Sequence, residues 1–257
     1  MFAFITNWLN RRIIKRSTIT ESEWEAAFKT LPLLEGLNNE EKRRLQQLAI
    51  LFLHHKVFEG AHDLVVTQPM ALLIALQACL PILNLGLDSY NGWVSVIVYP
   101  AGFAPRREVI DEAGVVHVGS DNLSGEAWQR GPVILAWTDV ETAGVIDGHN
   151  LVIHEFSHKL DMQNGVANGF PPLSVGMSVD DWVNAFTEGF DRFQHNCKTG
   201  KHAGFDCYAA TSPAEFFAVF SEVFFERPGL LSQHYPAIHQ QLCLYYQQDP
   251  STRLGNL

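Results

Sequence analysis

Leu151-Val152-Ile153-His154-Glu155-Phe156-Ser157-His158-Lys159-Leu160-Asp161 sets two imidazoles four residues apart with a carboxylate beside the first. On a helix, positions four apart lie one above the other, so His154 and His158 can turn ring nitrogens toward one Zn²⁺. Glu155 sits about 100° round the same wheel, where a carboxylate can serve as general base toward water. Val152, Phe156 and Leu160 form an apolar stripe opposite the histidines, as a buried helix with one chemically active side requires. Asn150 can cap the start and Asn164-Gly165 can stop the chain. The pattern is that of a zinc-peptidase helix; the competing reading is a core helix with satisfied histidines.

Working outward, the residues before this helix change period. Trp93-Val94-Ser95-Val96-Ile97-Val98-Tyr99 is β-branched and aromatic and ends at Pro100, which predicts a strand. Val109-Ile110 and Val115-Val116-His117-Val118 flank Asp111-Glu112-Ala113-Gly114 and read as a hairpin. Pro132 to Trp137 is the next strand, leading into the zinc helix. The expected fold class is α+β, a zincin-like metallopeptidase core with a helical N-terminal part: residues 1–90 helical, residues 91–257 catalytic, the two packed as one compact unit. Residues 133–138 are expected to be the edge strand that pairs with a substrate backbone.

In the N-terminal part, Thr18 to Thr20 and Asn38 or Asn39 are helix-capping candidates, and residues 17–58 read as helical. His54 and His55 are adjacent, so they point to different faces and suit a surface role better than ligation. The apolar run Met70 to Leu87 is interrupted by Gln77, Pro81 and Asn84, which predicts a buried helix ending near the proline rather than a membrane span. Downstream, the Gly/Pro-rich residues 165–178 form a loop, and Ser178 or Asp180 caps a helix carrying Trp182, Phe186, Phe190 and Phe193.

Composition narrows the function. A net charge of −10 argues against direct nucleic-acid binding, and 47% hydrophobic residues over 257 positions suffice for a proper core. Cys79, Cys197, Cys207 and Cys243 have neither Cys-x-x-Cys spacing nor the density of a disulfide scaffold, so reduced thiols and poor zinc candidates are expected. At the N-terminus the apolar residues precede Arg11, Arg12, Lys15 and Arg16, the reverse of a secretory signal, so a cytoplasmic enzyme without stable membrane insertion is expected.

A catalytic zinc needs three protein ligands and an open position. The metzincin pattern places a third histidine six residues after the second, with glycine at three; Asn164 and Asp161 stand there, which excludes that class. The remaining source is a glutamate on Ala214 to Phe225, a segment apolar nearly all round and therefore buried. Glu215 and Glu222 share a face but lie about 10 Å apart along the axis, so one of them is a ligand and the residues alone do not choose. Ser212-Pro213-Ala214-Glu215 also reads as a capping box, which would occupy Glu215 without any metal.

From about Leu31 to its end the chain resembles the Mlc titration factor A family of zinc metallopeptidases, gluzincins whose catalytic core is similar to that of the lethal-factor proteases. The resemblance rests on Gly92-Trp93 through Tyr99-Pro100-Ala101, Gly114-Val115-Val116-His117, Ile153-His154-Glu155 through Lys159-Leu160-Asp161, and Asp206-Cys207-Tyr208-Ala209-Ala210 through Pro213-Ala214-Glu215; the last two are specific. It implies His154, His158 and Glu215 as zinc ligands, Glu155 as general base and Tyr208 as donor to the oxyanion. It also implies aminopeptidase-type action on peptides and binding of the transcriptional repressor Mlc, which regulates sugar uptake. The alternative is a non-catalytic protein that sequesters the repressor. Asp161 is a candidate for orienting an imidazole, and His117 has a structural role rather than that of a fourth ligand. The lethal-factor acidic residue four after the ligand is replaced by Val219.

Overall fold

Six polar residues set where the long helices begin. Thr20, Asn38, Thr67, Asn150, Ser178 and Ser212 each turn a side-chain oxygen onto the backbone N–H three residues on, satisfying a donor that the first helical turn leaves without a partner. The computed structural model describes residues 2–102, 107–110, 116–119, 125–127, 131–142 and 145–254, with backbone alone at 2–7, 107–110, 116–119 and 125–127. In order the elements are α1 (Phe2–Lys15), α2 (Glu21–Thr30), α3 (Asn39–His55), β1 (Val57–Gly60), α4 (Gln68–Cys79), β2 (Ser95–Tyr99), β3 (Arg107–Ile110), β4 (Val116–Gly119), β5 (Gly125–Ala127) and β6 (Val133–Ala136). Then come α5 (Trp137–Glu141), α6 (Leu151–Asp161), α7 (Val179–Lys198), α8 (Pro213–Glu226), α9 (Pro228–His234), α10 (Pro236–Tyr246) and α11 (Ser251–Leu254).

The main sheet has the order β1-β2-β6-β5, parallel except for β5, which runs antiparallel to β6. Strand β1 arises within the stretch read as wholly helical, so the sheet draws on both sides of residue 90. Residues 133–138 were expected to be the substrate-pairing edge, and this is corrected: β6 lies between β2 and β5, so both its hydrogen-bonding sides are used. The edge on that side, among the described residues, is β5. Its short length limits the exposed ladder. The hairpin is present as β3 and β4, Val109 opposite His117; its turn lies outside the described residues. Helix α4 stops before Pro81, and no helix among the described residues is long and apolar enough to cross a membrane.

An aromatic cluster braces α6 against α3 and the segment that leads into β2. Phe156 packs its ring within 5.2–5.6 Å of Phe52, Tyr90 and Trp93. Lys56, buried beside them, donates to the carbonyls of Tyr90 and Trp93 at 2.7 Å and sits 3.7 Å over the Trp93 ring; burial pushes its amine down to about 8. On the other side α8 is buried along nearly its whole length. Phe216 and Phe220 meet Phe193 of α7 at 5.8 and 5.5 Å, and α8 lies against α6. Two buried helices, packed side by side and braced from opposite directions, hold the side chains discussed next.

Candidate metal centre

Helix α6 carries His154, Glu155 and His158; α8 carries Glu215 and Glu222. His154 Nε2 and His158 Nε2 lie 3.2 Å apart, and Glu215 Oε2 is 3.0 Å from the first and 3.3 Å from the second. For metal bonds of about 2.0–2.2 Å, tetrahedral ligand atoms are separated by roughly 3.3–3.6 Å, close to the spacing here. The spacing and the nitrogen/oxygen chemistry therefore suit a zinc-sized cation.

The back of His154 sharpens that fit. Its Nδ1 is 2.7 Å from Glu222 Oε1, and a carboxylate at Nδ1 takes the ring N–H, leaving Nε2 with its lone pair on the side of His158 and Glu215. Lone pairs of two imidazoles and a carboxylate repel at these distances unless a proton or cation stands between them. Burial disfavours the His154 imidazolium, but the Glu222 charge and the bonds to Glu215 and Glu222 outweigh it and hold its pKa well above the ordinary value. Burial likewise pushes the Glu215 carboxyl up, yet the hydrogen bonds of His154 and His158 bring it well below the carboxylate range. The donors together form a cradle for positive charge.

Glu155 is 4% exposed, and its Oε2 is buried without a hydrogen-bond partner among the described residues. Burial pushes it up to about 7, partly offset by the two imidazoles. A buried acceptor left open costs stability, and such costs cluster at working sites. It is the oxygen a general base needs.

The two glutamates that the sequence left equal separate here. Ser212 Oγ accepts from the Glu215 N–H at 3.2 Å, half of a capping box, while the Glu215 carboxylate is directed at the imidazoles. Glu222 holds His154 from behind, so Val219, buried in α8, is not the position that supplies the supporting carboxylate. Glu222 Oε2 also accepts from Asn150 N at 2.5 Å. Asn150 Nδ2 reaches Gln77 Oε1 at 2.9 Å and Glu226 Oε1 at 3.0 Å, and Glu226 Oε2 accepts from Gly148 N at 3.0 Å. Sequence reasoning missed this buried chain. Its trace was present as Gln77 interrupting an apolar run and as Glu222 and Glu226 one turn apart on an apolar helix.

Asp161 differs from expectation. Its Oδ2 accepts from the N–H groups of Asn168 and Gly169, both at 2.7 Å, so it anchors the loop after α6. Among the described residues its Oδ1 and His158 Nδ1 are both buried without partners, so no bond joins this carboxylate to the imidazole. Gly169, at φ +78°, brings this loop against the start of α8, where a Cβ would come within 2.5 Å of the Pro213 carbonyl oxygen. His54 and His55 are exposed. They line a cavity of about 1180 Å³ between α1 and α3, and His154, His158, Glu215 and Glu222 are not among its lining residues. The side chain of His117 lies outside the described residues.

Tyr208 stands on a short 3₁₀ turn, Cys207–Ala210, capped by Asp206 Oδ1 accepting the Tyr208 N–H at 2.9 Å. Its ring centroid is 6.3 Å from that of His154, and it is 48% exposed. The ring thus borders the centre on a half-exposed side. The expectation of four reduced thiols is corrected for two of them: Cys197 at the end of α7 is bonded to Cys207, with Cα atoms 5.7 Å apart. Ten residues of separation concealed a pair that the fold brings together. The bridge ties the Tyr208 turn to α7.

A sequence profile described as the glucose-regulated metallo-peptidase M90 matches residues 5–247. The chain is also similar to Mlc titration factor A of Yersinia pestis (strain Pestoides F) and of Yersinia pseudotuberculosis serotype O:1b (strain IP 31758), each 39% identical over 236 residues, or 91% of this chain and 87% of the relative.

Proposed function

The chain belongs to the M90 family of glucose-regulated metallopeptidases, that of the Mlc titration factor A proteins, and on that premise we propose that it is a zinc-dependent peptidase of aminopeptidase type acting in the cytoplasm. The observation that carries the proposal is the convergence of His154, His158 and Glu215 beside the unpartnered oxygen of Glu155. These three residues would hold the ion, with Glu222 fixing His154. When bound, zinc supplies Lewis-acid polarisation of the scissile carbonyl and acidifies water. Glu155 takes the proton from the attacking water and passes it to the leaving amine; a carboxyl near 7 suits both directions of transfer. Tyr208 donates its phenolic O–H to the oxyanion as the carbonyl becomes tetrahedral. The edge strand β5, on the α6 side of the sheet, is the place for a peptide backbone to add as a further strand.

The test is Glu155→Gln. The expected outcome is metal content equal to wild type with peptidase activity lower by about 10²–10⁴; full activity would refute the mechanism.

The name shared by the relatives supports a second role, binding of the repressor Mlc. An acidic protein would then affect transcription through the repressor rather than by touching DNA. The roles separate in the same variant: Glu155→Gln should still bind Mlc in a pull-down if binding is independent of catalysis, and lost binding would count against independence.

A further inference from the structure

A second group of metal-ligating side chains meets at the far end of α10. His239 and Cys243 are four apart on that helix and share a face. The chain then turns at Gln247, whose φ of 53° is left-handed, and brings Asp249 back over them. His239 Nε2 is 3.7 Å from Asp249 Oδ1 and 3.9 Å from Cys243 Sγ, and one ligand atom from each residue lies within 4.8 Å of the others. Zinc bonds of about 2.3 Å to sulfur and 2.0–2.2 Å to nitrogen and oxygen separate tetrahedral ligands by roughly 3.3–3.7 Å, so the Cys243 and Asp249 side chains must rotate toward His239 Nε2 to complete the geometry. Cys243 is a free thiol. His239 is ordered by the Phe224 ring at 5.6 Å, and Asp249 by the N–H and hydroxyl of Ser251. The Asp249 side chain is 43% exposed, which leaves a water-facing side for the remaining coordination.

We infer that His239, Cys243 and Asp249 form a second metal site, separate from the His154 centre, for a borderline divalent ion such as zinc. Zinc accepts a thiolate, an imidazole and a carboxylate together, whereas magnesium and calcium take the carboxylate but prefer all-oxygen sites to sulfur and imidazole. The same trio could be read as a thiol nucleophile with its base, since Cys243 Sγ is 3.7 Å from His239 Nδ1. That reading fails on electrostatics. The thiol lies in the last turn of α10, where the helix dipole opposes negative charge. A reactive cysteine needs the opposite surroundings, whereas a metal brings its own compensating charge. The site's role is to pin the C-terminal turn. Two residues after Ser251, the Arg253 guanidinium donates to the carbonyls of Leu33 and Glu35, so a cation at Asp249 fastens α10 to the N-terminal helices through α11.

The experiment is titration of metal-free chain with Co²⁺ under non-reducing conditions, read as the thiolate-to-cobalt charge-transfer band in the near ultraviolet. The His154 centre offers no sulfur, so the band reports this site alone, whatever becomes of the peptidase reading. The band is expected in the wild type, in Cys79→Ser and in Glu215→Ala, and is expected to vanish in Cys243→Ser and in His239→Gln, with folding checked by circular dichroism. A wild type without the band at saturating cobalt, or a band that survives in folded Cys243→Ser or His239→Gln, would overturn the assignment.

Discussion

Single side chains decide what the centre can do, and they differ in what their removal should cost. Glu222 touches no substrate in the proposed mechanism; it holds His154 Nδ1. Glu222→Ala should therefore weaken zinc binding by about 10–100-fold without abolishing it, which competition with a chromogenic chelator measures. Tyr208 stands at the rim beside His154. Tyr208→Phe is expected to lower kcat by about 10²–10³ with KM and metal content little changed in steady-state assays; a change confined to KM would make it a binding residue. The histidines and Glu155 were legible as residues because their spacing on a helix is itself the signal. Glu215 and Glu222 were not separable, since seven residues along a helix preserves the face, and only the placement of α8 against α6 says which carboxylate meets the front of the imidazoles and which the back.

At the scale of elements, helix starts could be read from Thr20, Asn38, Asn150 and Ser178, because a cap is a local bond between neighbours in sequence. Strand order could not be read, and the mistaken edge at residues 133–138 has that origin: a strand's hydrophobic run says that it is buried, not which strands flank it. The Cys197–Cys207 bridge was hidden for the same reason. Closing that short loop contributes about 3 kcal/mol in the chain-entropy account, and reduction is expected to lower Tm and, by loosening the Tyr208 turn, to lower kcat. Calorimetry and assays with and without dithiothreitol check both. Between the helices, Glu226 is pushed by burial from 4.5 up to about 8, despite bonds from Asn150 and Gly148. Below pH 4.5 the carboxyl is neutral in both the folded and unfolded chain. Above it the unfolded chain ionises first, so this group's contribution to stability falls as pH rises from 4.5 to 8. The expected size is a few kcal/mol at most, and Glu226→Gln should flatten that part of a denaturation profile; an unchanged slope would mean Glu226 ionises normally.

The whole molecule explains why a sheet with few strands is enough. α6 is clamped between the aromatic cluster around Phe156 and the phenylalanine-rich α8, so the side chains proposed to hold the metal stand on two rigid supports. Phe156→Ala is expected to cost about 3–5 kcal/mol and to lower metal affinity as well, since the helix it anchors carries both histidines. The mixture of helices with a small sheet followed from periodicity and from the order of sheet before helix. The polar chain from Gln77 through Asn150 to Glu226 joins α4, α6 and α8, and such convergence from distant sequence is visible only in three dimensions. The most direct measurement is the zinc content of Cys243→Ser protein, which removes the second site, compared with the same protein carrying Glu215→Ala or Glu222→Ala, with peptidase assays on the same samples. The expected result is one zinc per chain with activity in the first, loss of both with Glu215→Ala, and weakened but measurable binding with Glu222→Ala. Full zinc retention with Glu215→Ala, or a metal-free and inactive Cys243→Ser protein that zinc does not restore, would contradict the His154, His158 and Glu215 centre.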